Sequence, residues 1–389
     1  MGFLLFDILD SLLHSYIPMK IDLESIDKES FMVHQHNIGE HEVTLVQPIH
    51  LGATWTKDNL IFRSSVWDKE GNPVSLSFKK FFNWDESPNI DPAPSNLDGA
   101  KLMEKLDGST LIISRYKGIT VMRTRGTVDA YKQENGDELS FLREKYDHFF
   151  EHIEAMENTP VSYIFEWLSP SNRIVLDYGQ DPDMVLIAGI YHNDYSMMKQ
   201  ESLDTVASQL QLRRPKKYSY DSIDDMKKSV EALRDQEGLC VYYKDEQCIR
   251  KVKSAHYLYL HRAKSEISSI EKVIDVYIDW FMDRHTLSHE ATGYPEFFKY
   301  LTEKFDYEIA TMAQGHASRI CDAMKEVKKI MDALVLFSFH RINMPRKQAA
   351  AEILQAYGST GRAAIVFKML DAKYIGADDY KKLLYQVLK

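Results

Sequence analysis

Glu104-Lys105-Leu106-Asp107-Gly108-Ser109-Thr110 places a lysine beside a turn, a carboxylate two residues on and a glycine after that. A β-branched run follows, so the stretch reads as strand, turn, strand. Two readings of Lys105 are open at this point. It is a solvated lysine on a surface turn, or an amine held where it can attack an activated phosphate. The rest of the chain is read for what the second role would need.

Working outward, Thr110–Ser114 and Ile119–Thr124 flank Arg115-Tyr116-Lys117-Gly118 and predict a hairpin. Upstream, Leu60–Trp67 reads as a strand, Asp68–Pro73 as a turn, and the proline-rich Ser87–Pro94 as a loop. Downstream, Leu139–Met156 shows helical spacing, with Leu142, Tyr146, Phe149, Phe150 and Ile153 on one face. Strands are expected at Val161–Trp167 and Met184–Tyr191, a helix at Ser222–Arg234, and a second hairpin from Leu239 to Val252 turning at Lys244-Asp245-Glu246.

From residue 264 the strand signal stops. Glu266–Leu287, Ala317–Asn343, Arg346–Tyr357, Arg362–Lys373 and Asp379–Lys389 carry helical apolar spacing. The predicted class is α+β, with a mixed, antiparallel-sheet domain over 1–263 and an all-helical domain over 264–389.

Bulk properties narrow the setting. The 389 residues exceed one simple core, and 44% hydrophobic with 27% charged residues is ordinary for a soluble globular chain. Met1–Asp10 is apolar but lacks a basic flank and is interrupted by aspartates, so an amphipathic helix is expected there, not a signal or a membrane span. Three scattered cysteines support neither a disulfide framework nor a zinc site, which implies a reduced, cytoplasmic setting. A net charge of −10 argues against gripping nucleic acid by overall charge, although convergent cations in one groove still can. The acidity is concentrated in the first domain, and Arg213-Arg214-Pro215-Lys216-Lys217, the densest basic run, is either a solvated loop or a phosphate contact.

Three further stretches bear on Lys105. Glu166 sits in Phe165-Glu166-Trp167, a carboxylate among apolar residues, ahead of Ser171-Asn172-Arg173-Ile174-Val175. Glu237-Gly238 precedes a strand whose partner ends in Lys251-Val252-Lys253, where alternation puts both lysines on one face. Each has a plain reading: an ion-paired strand residue, a turn, a solvated face. Taken in order, K-x-D-G, F-E-W, E-G-L and K-V-K resemble the nucleotidyltransferase motifs of ATP-dependent ligases and RNA capping enzymes. More narrowly the chain is similar to the phage RNA ligase 1 family over about residues 55–285. Phe62-Arg63-Ser64, Lys80 and Phe82 in Lys-Phe-Phe-Asn, and Lys251-Val252-Lys253-Ser254 running to Tyr257 and His261 carry that narrower likeness.

The resemblance implies an antiparallel-sheet nucleotidyltransferase (ATP-grasp-like ligase) domain that seals 3′-OH to 5′-phosphate ends of single-stranded RNA. Lys105 is then the nucleophile that becomes lysyl-AMP, with ATP as substrate and Mg²⁺ (Mn²⁺ in its place) as cofactor. Lys251, Lys253 and the metal would favour the neutral amine and neutralise the α-phosphate. Glu166 is implied to contact the ribose hydroxyls or a metal-bound water, and Glu237 to help hold the metal. Arg63 and Lys80 are implied phosphate contacts, while Phe82 has packing as an equal role. Asp107, Gly108 and Ser109 shape the loop. Where the family usually has lysine in a Lys-Gly pair, this chain has Arg125-Gly126, which puts a wide fork in place of a point charge. Asp283, ending an Asp275, Asp279, Asp283 stripe, is a metal candidate that a solvated helix face explains equally well. The helical domain is implied to aid recognition of structured RNA such as nicked tRNA, in a monomer in the cytoplasm, the host's if phage-encoded. A DNA ligase, a GTP-using capping enzyme and a non-enzymatic RNA-end-binding protein are the alternatives. The absence of an OB-fold signal after Lys253 weighs against the first two.

Overall fold

The structure, a computed structural model, describes residues 19–49, 53–87, 89–284, 292–305 and 307–389. The helix expected over Met1–Asp10 lies outside the described residues. Two compact units divide the chain, Met1–Leu258 and Tyr259–Lys389.

Three sheets build the first unit. β1 (Phe31–Ile38), β2 (His41–Pro48), β3 (Ser65–Asp68) and β4 (Pro73–Leu76) form an antiparallel meander in that order. The β3–β4 turn is set by Asp68, whose carboxylate accepts the N–H groups of Glu70 (3.0 Å) and Asn72 (2.8 Å). β5 (Phe82–Asn83) and β6 (Lys101–Lys105) belong to the third sheet. β7 (Ser109–Tyr116) and β8 (Ile119–Thr124) form the hairpin expected around Arg115–Gly118 and belong to the second. Consecutive strands β6 and β7 thus lie in different sheets, and Leu106-Asp107-Gly108 carries the chain from one to the other.

The strand expected over Leu60–Trp67 is only half there. Leu60–Arg63 is a 3₁₀ turn and β3 begins at Ser65. The carbonyls of the turn are taken by Lys80 N–H (on Leu60, 2.7 Å) and Tyr195 O–H (on Ile61, 2.9 Å) instead of a ladder. The single helix expected over Leu139–Met156 is two, α1 (Glu138–Lys145) and α2 (Asp147–Glu154). Tyr146 leaves helical geometry between them (φ −120°, ψ 40°) and its hydroxyl donates to the Asp183 carboxylate. The predicted face survives the break, and Leu142, Phe149, Phe150 and Ile153 are buried against the second sheet.

β9 (Val161–Leu168) and β10 (Asp183–Tyr191) complete that sheet, whose order is β10-β9-β7-β8. Then come α3 (Gln200–Gln209), β11 (Lys217–Tyr218) and α4 (Ile223–Ala232), the last started by Ser222 accepting Asp225 N–H at 3.1 Å. β12 (Gly238–Tyr243) and β13 (Cys248–Lys253) are the second expected hairpin, in a third sheet ordered β11-β6-β12-β13-β5. Every pair in it is antiparallel except β13 with β5.

α5 (Ala255–Glu266) straddles the division between the units. The second unit is otherwise α6 (Ile270–Met282), α7 (Tyr294–Phe305), α8 (Tyr307–Met312), α9 (Gln314–Phe339), α10 (Arg346–Tyr357), α11 (Gly361–Leu370) and α12 (Ala377–Leu388). On α9, Ala317, Ile320, Met324, Val327, Met331 and Leu334 recur every three or four residues and are buried in one core with Tyr277, Phe281, Phe297, Leu383 and Leu384. The long helix expected over Glu266–Leu287 begins four residues later because Ser269 accepts the Lys272 N–H and starts α6 afresh. No described helix is long and apolar enough to cross a membrane.

Candidate active site

The geometry starts from two glycines. At Gly108 an added Cβ would lie 2.4 Å from the Trp167 carbonyl oxygen, so β9 can approach the turn only because no side chain intervenes. Gly108 N–H then donates to Glu166 Oε1 at 3.0 Å, fastening the second sheet's carboxylate beneath the turn. At Gly238 φ is +151° and a Cβ would meet the Val252 carbonyl oxygen at 2.0 Å. That glycine lets β12 run close to β13 while Glu237, just before it, points back at β6.

Lys105, the last residue of β6, pairs with Gly238 across the ladder, and Gly238 pairs with Lys253 on the other side. The register brings three side chains together. Lys105 Nζ lies 2.6 Å from Glu237 Oε2, and Lys253 Nζ lies 2.8 Å from Glu237 Oε1. Glu237 is 2% exposed, so one buried carboxylate holds two ammonium groups, one on each oxygen.

Lys251, Lys253 and a bound metal are together expected to favour a neutral Lys105; in the protein alone Lys253 is paired with Glu237. Burial is the largest single influence and opposes the Lys105 ammonium, but the charges of Glu237, Cys240 and Glu166, with the Glu237 hydrogen bond, together outweigh it and hold the amine above its ordinary range. Lys251 is strongly depressed, brought down to about 8 by burial and by the charges of Arg63, Lys80, Lys105 and Lys253. Glu166 is pushed up to about 7, by burial first, with Lys105 opposing and Glu237 adding to the rise.

A cation cluster lies beside this network. Arg63 stacks over the Phe81 ring at 4.6 Å, and Lys251 Nζ lies over the same ring at 5.4 Å. Burial and the Arg125 charge bring Arg63 down to about 10. Burial also lowers Lys80, with Arg63 and Arg125 contributing against the opposing pull of Glu86. The charges of Arg63, Lys80, Arg125 and Lys251 therefore bear on one another, and among the described residues Glu86, 4.0 Å from Lys80, is the acid within ion-pair distance of them. Such a gathering of positive charge suits a polyanion.

Phe82 is 1% exposed and sits under Lys80 Nζ (5.0 Å) and the Arg250 guanidinium (5.4 Å), a packed support for the cations. Asp107 is buried and fully engaged. Its Oδ2 accepts from the N–H groups of Val175 (2.7 Å) and Leu176 (2.8 Å), and its Oδ1 from Tyr257 O–H (2.7 Å). Its own N–H donates to Tyr178 Oη at 2.9 Å. These bonds fold the Ser171–Val175 segment back onto the turn and enclose a cavity of about 140 Å³ lined by Asp107, Gly108, Leu168, Arg173 and Tyr178.

Two site residues stand outside the expected set. Phe81 adjoins Phe82 in the Lys-Phe-Phe-Asn run, and Tyr178 has no local signal, because only the fold brings it to Asp107. Three of the four cations in the basic run Arg213–Lys217 are paired with acids of the same unit. Arg213 pairs with Asp183 at 2.6 Å, Arg214 with Asp204 at 3.1 Å, and Lys217 with Asp204 as well.

Asp283 caps the end of α6 in the second unit, and Asp275 of the same stripe pairs with Lys381. Among the described residues no group of three His, Cys, Asp or Glu side chains could hold a metal by itself. Glu166 and Glu237 offer hard oxygen donors from the two sheets, which fits an ion that keeps most of its waters or takes phosphate oxygens.

The sequence profile of the RNA ligase family matches residues 62–271, just over half of the chain. A bifunctional polynucleotide kinase/RNA ligase of Autographa californica nuclear polyhedrosis virus is 27% identical over 223 residues, which cover 53% of this chain and 31% of that protein. An RNA ligase of Thermovibrio ammonificans is 25% identical over 211 residues, 53% of each chain. The match thus spans about a third and about half of the lengths of these relatives. A solved RNA ligase of Naegleria gruberi overlaps 57% of this chain and 65% of its own at 12% identity and a TM-score of 0.40, too distant to bear on the argument. With a profile match of this extent, over the residues that build the site, the chain belongs to the RNA ligase family.

Proposed function

We propose that this protein is an ATP-dependent RNA ligase that joins 3′-OH and 5′-phosphate ends through a lysyl-AMP enzyme and an RNA-adenylate. The observation that carries the reading is Lys105 Nζ, held 2.6 Å from a buried carboxylate beside four mutually repelling cations. An amine, a proton acceptor and a polyanion site are the three things adenylyl transfer to lysine requires.

In the first step the triphosphate is held by Arg63, Lys80, Arg125 and Lys251. The Lys105 ammonium gives one proton to Glu237 Oε2, and its freed lone pair forms a bond to the α-phosphorus. The bond from that phosphorus to the bridging oxygen breaks, and pyrophosphate leaves with the electron pair. The second proton departs from the new phosphoramidate nitrogen with the pyrophosphate. Lys253 stays paired with the other oxygen of Glu237. Glu166, fastened to the Gly108 N–H, faces the nucleoside side, where its carboxyl can hydrogen-bond ribose hydroxyls. Glu237 and Glu166 are the residues that would hold Mg²⁺ or Mn²⁺, which when bound neutralises charge on the α-phosphate. AMP then passes to an RNA 5′-phosphate, and the 3′-OH displaces it to close the phosphodiester. Structured RNA such as nicked tRNA is the proposed substrate class.

The test is incubation with ATP labelled at the α-phosphate and Mg²⁺. A protein-bound label lost in Lys105→Ala and released by pyrophosphate supports the reading, and no adduct on the unaltered protein overturns it. Sealing of RNA ends compared with DNA ends, and ATP with GTP, tests the substrate assignments.

A further inference from the structure

Arg123 is a fully buried charge that the proposed chemistry does not use. It lies on β8 two residues before Arg125 and is 0% exposed. All five of its N–H groups are satisfied, and by neutral acceptors alone. Nε donates to Ser75 Oγ (2.8 Å), and Nη1 to Ser64 Oγ (2.8 Å) and the Thr124 carbonyl (3.1 Å). Nη2 donates to the carbonyls of Ser64 (3.2 Å) and Ser75 (2.8 Å). Burying a guanidinium without a counter-ion is costly, and an apolar side chain would join the two sheets with less penalty.

What those bonds hold is specific. Ser64 directly follows Arg63. Its hydroxyl, while accepting from Arg123, donates to the Arg125 carbonyl at 2.8 Å. Thr124, whose carbonyl also accepts from Arg123, directly precedes Arg125. One fork therefore fixes the backbone next to both arginines of the cation cluster, which flank strands of different sheets and repel each other. Ser75, on β4, anchors the other edge of the fork.

We propose that Arg123 is a positioning residue for the nucleotide, setting the separation of Arg63 and Arg125 so that both meet the polyphosphate. The inference rests on the adenylyl-transfer reading above. It predicts that Arg123 matters where a triphosphate is bound and much less where the substrate is already adenylated. Lysine cannot replace it, because a point charge with three donors cannot serve Ser64, Ser75 and Thr124 together. Misplacing two phosphate contacts raises the apparent KM for ATP about tenfold or more.

The experiment measures Arg123→Lys and Ser64→Ala beside the unaltered protein. Lysyl-AMP formation is followed against ATP concentration, and sealing is followed separately with chemically pre-adenylated RNA. Thermal midpoints are recorded for all three. The expected result is a raised KM for ATP in both variants, larger in Arg123→Lys, with sealing of pre-adenylated RNA within about twofold of the unaltered protein. An unchanged KM for ATP, or equal losses in both assays that track the thermal midpoint, overturns the inference. If Arg123→Lys does not fold, Ser64→Ala decides by the same two assays. Failure of the unaltered protein to form the adduct overturns the adenylyl-transfer reading instead, so the two failures are distinguishable.

Discussion

Glu166→Gln should make the protein more stable at pH 8 and nearly unchanged at pH 4. The folded carboxyl titrates at about 7 against an ordinary 4.5, because burial disfavours its charge and Glu237 adds to the rise. Between those values the folded chain keeps a proton that the unfolded chain has released. Stability from this group is therefore lost as pH rises through that window and is flat above it. At about 1.4 kcal/mol per pH unit, the full loss is about 3 kcal/mol. Glutamine has the shape of the protonated acid and can still accept the Gly108 N–H through its carbonyl oxygen. The variant should thus match the parent at pH 4 and exceed it by about 3 kcal/mol at pH 8. Urea unfolding followed by tryptophan fluorescence suits the test, since Trp55, Trp67, Trp84 and Trp167 lie in the first unit and only Trp280 in the second. Parallel stability–pH curves for parent and variant would refute the reasoning. So would a Glu166 carboxyl that titrates near 4.5 by carbon-detected NMR.

Gly108→Ala would place a methyl 2.4 Å from a backbone oxygen of buried β9, so the turn must move. A loss of about 1–3 kcal/mol in stability and of most lysyl-AMP formation is expected, read by thermal midpoint and label incorporation. Lys251, titrating near 8, should make ATP binding weaken between pH 7 and 9 as its charge is lost. Lys251→Arg should flatten that dependence, checked by calorimetry at both pH values.

Much of the first unit was legible because its signals are local. The Arg115–Gly118 and Lys244–Glu246 turns, the alternation of Lys251 and Lys253, and the face formed by Leu142, Phe149, Phe150 and Ile153 follow from periods of two and of 3.6. Leu60–Arg63 misled because an apolar run does not reveal which backbone carbonyls a distant Lys80 N–H and Tyr195 hydroxyl will claim. Tyr146 broke a helix through its reach to Asp183, 37 residues away. The site candidates came from motif order, which brought Lys105, Glu166, Glu237, Lys251 and Lys253 into one list. Their electrostatics did not follow from that order. Two lysines near a third suggest a lowered pKa, and only the register of β6, β12 and β13 reveals that Glu237 stands between Lys105 and Lys253. The pairing of Arg213, Arg214 and Lys217 with Asp183 and Asp204 is likewise a product of tertiary contact, invisible in a run of five letters.

The Lys105–Glu237 pair also bears on what the protein does when idle. An exposed neutral amine reacts with aldehydes and acyl phosphates wherever it meets them, and each such event would end the working life of the molecule. A protonated amine has no lone pair to offer, and a carboxylate 2.6 Å away keeps that proton in place. The resting chain is chemically quiet at its most valuable atom, so Lys105 should resist acylating reagents for as long as Glu237 remains its partner.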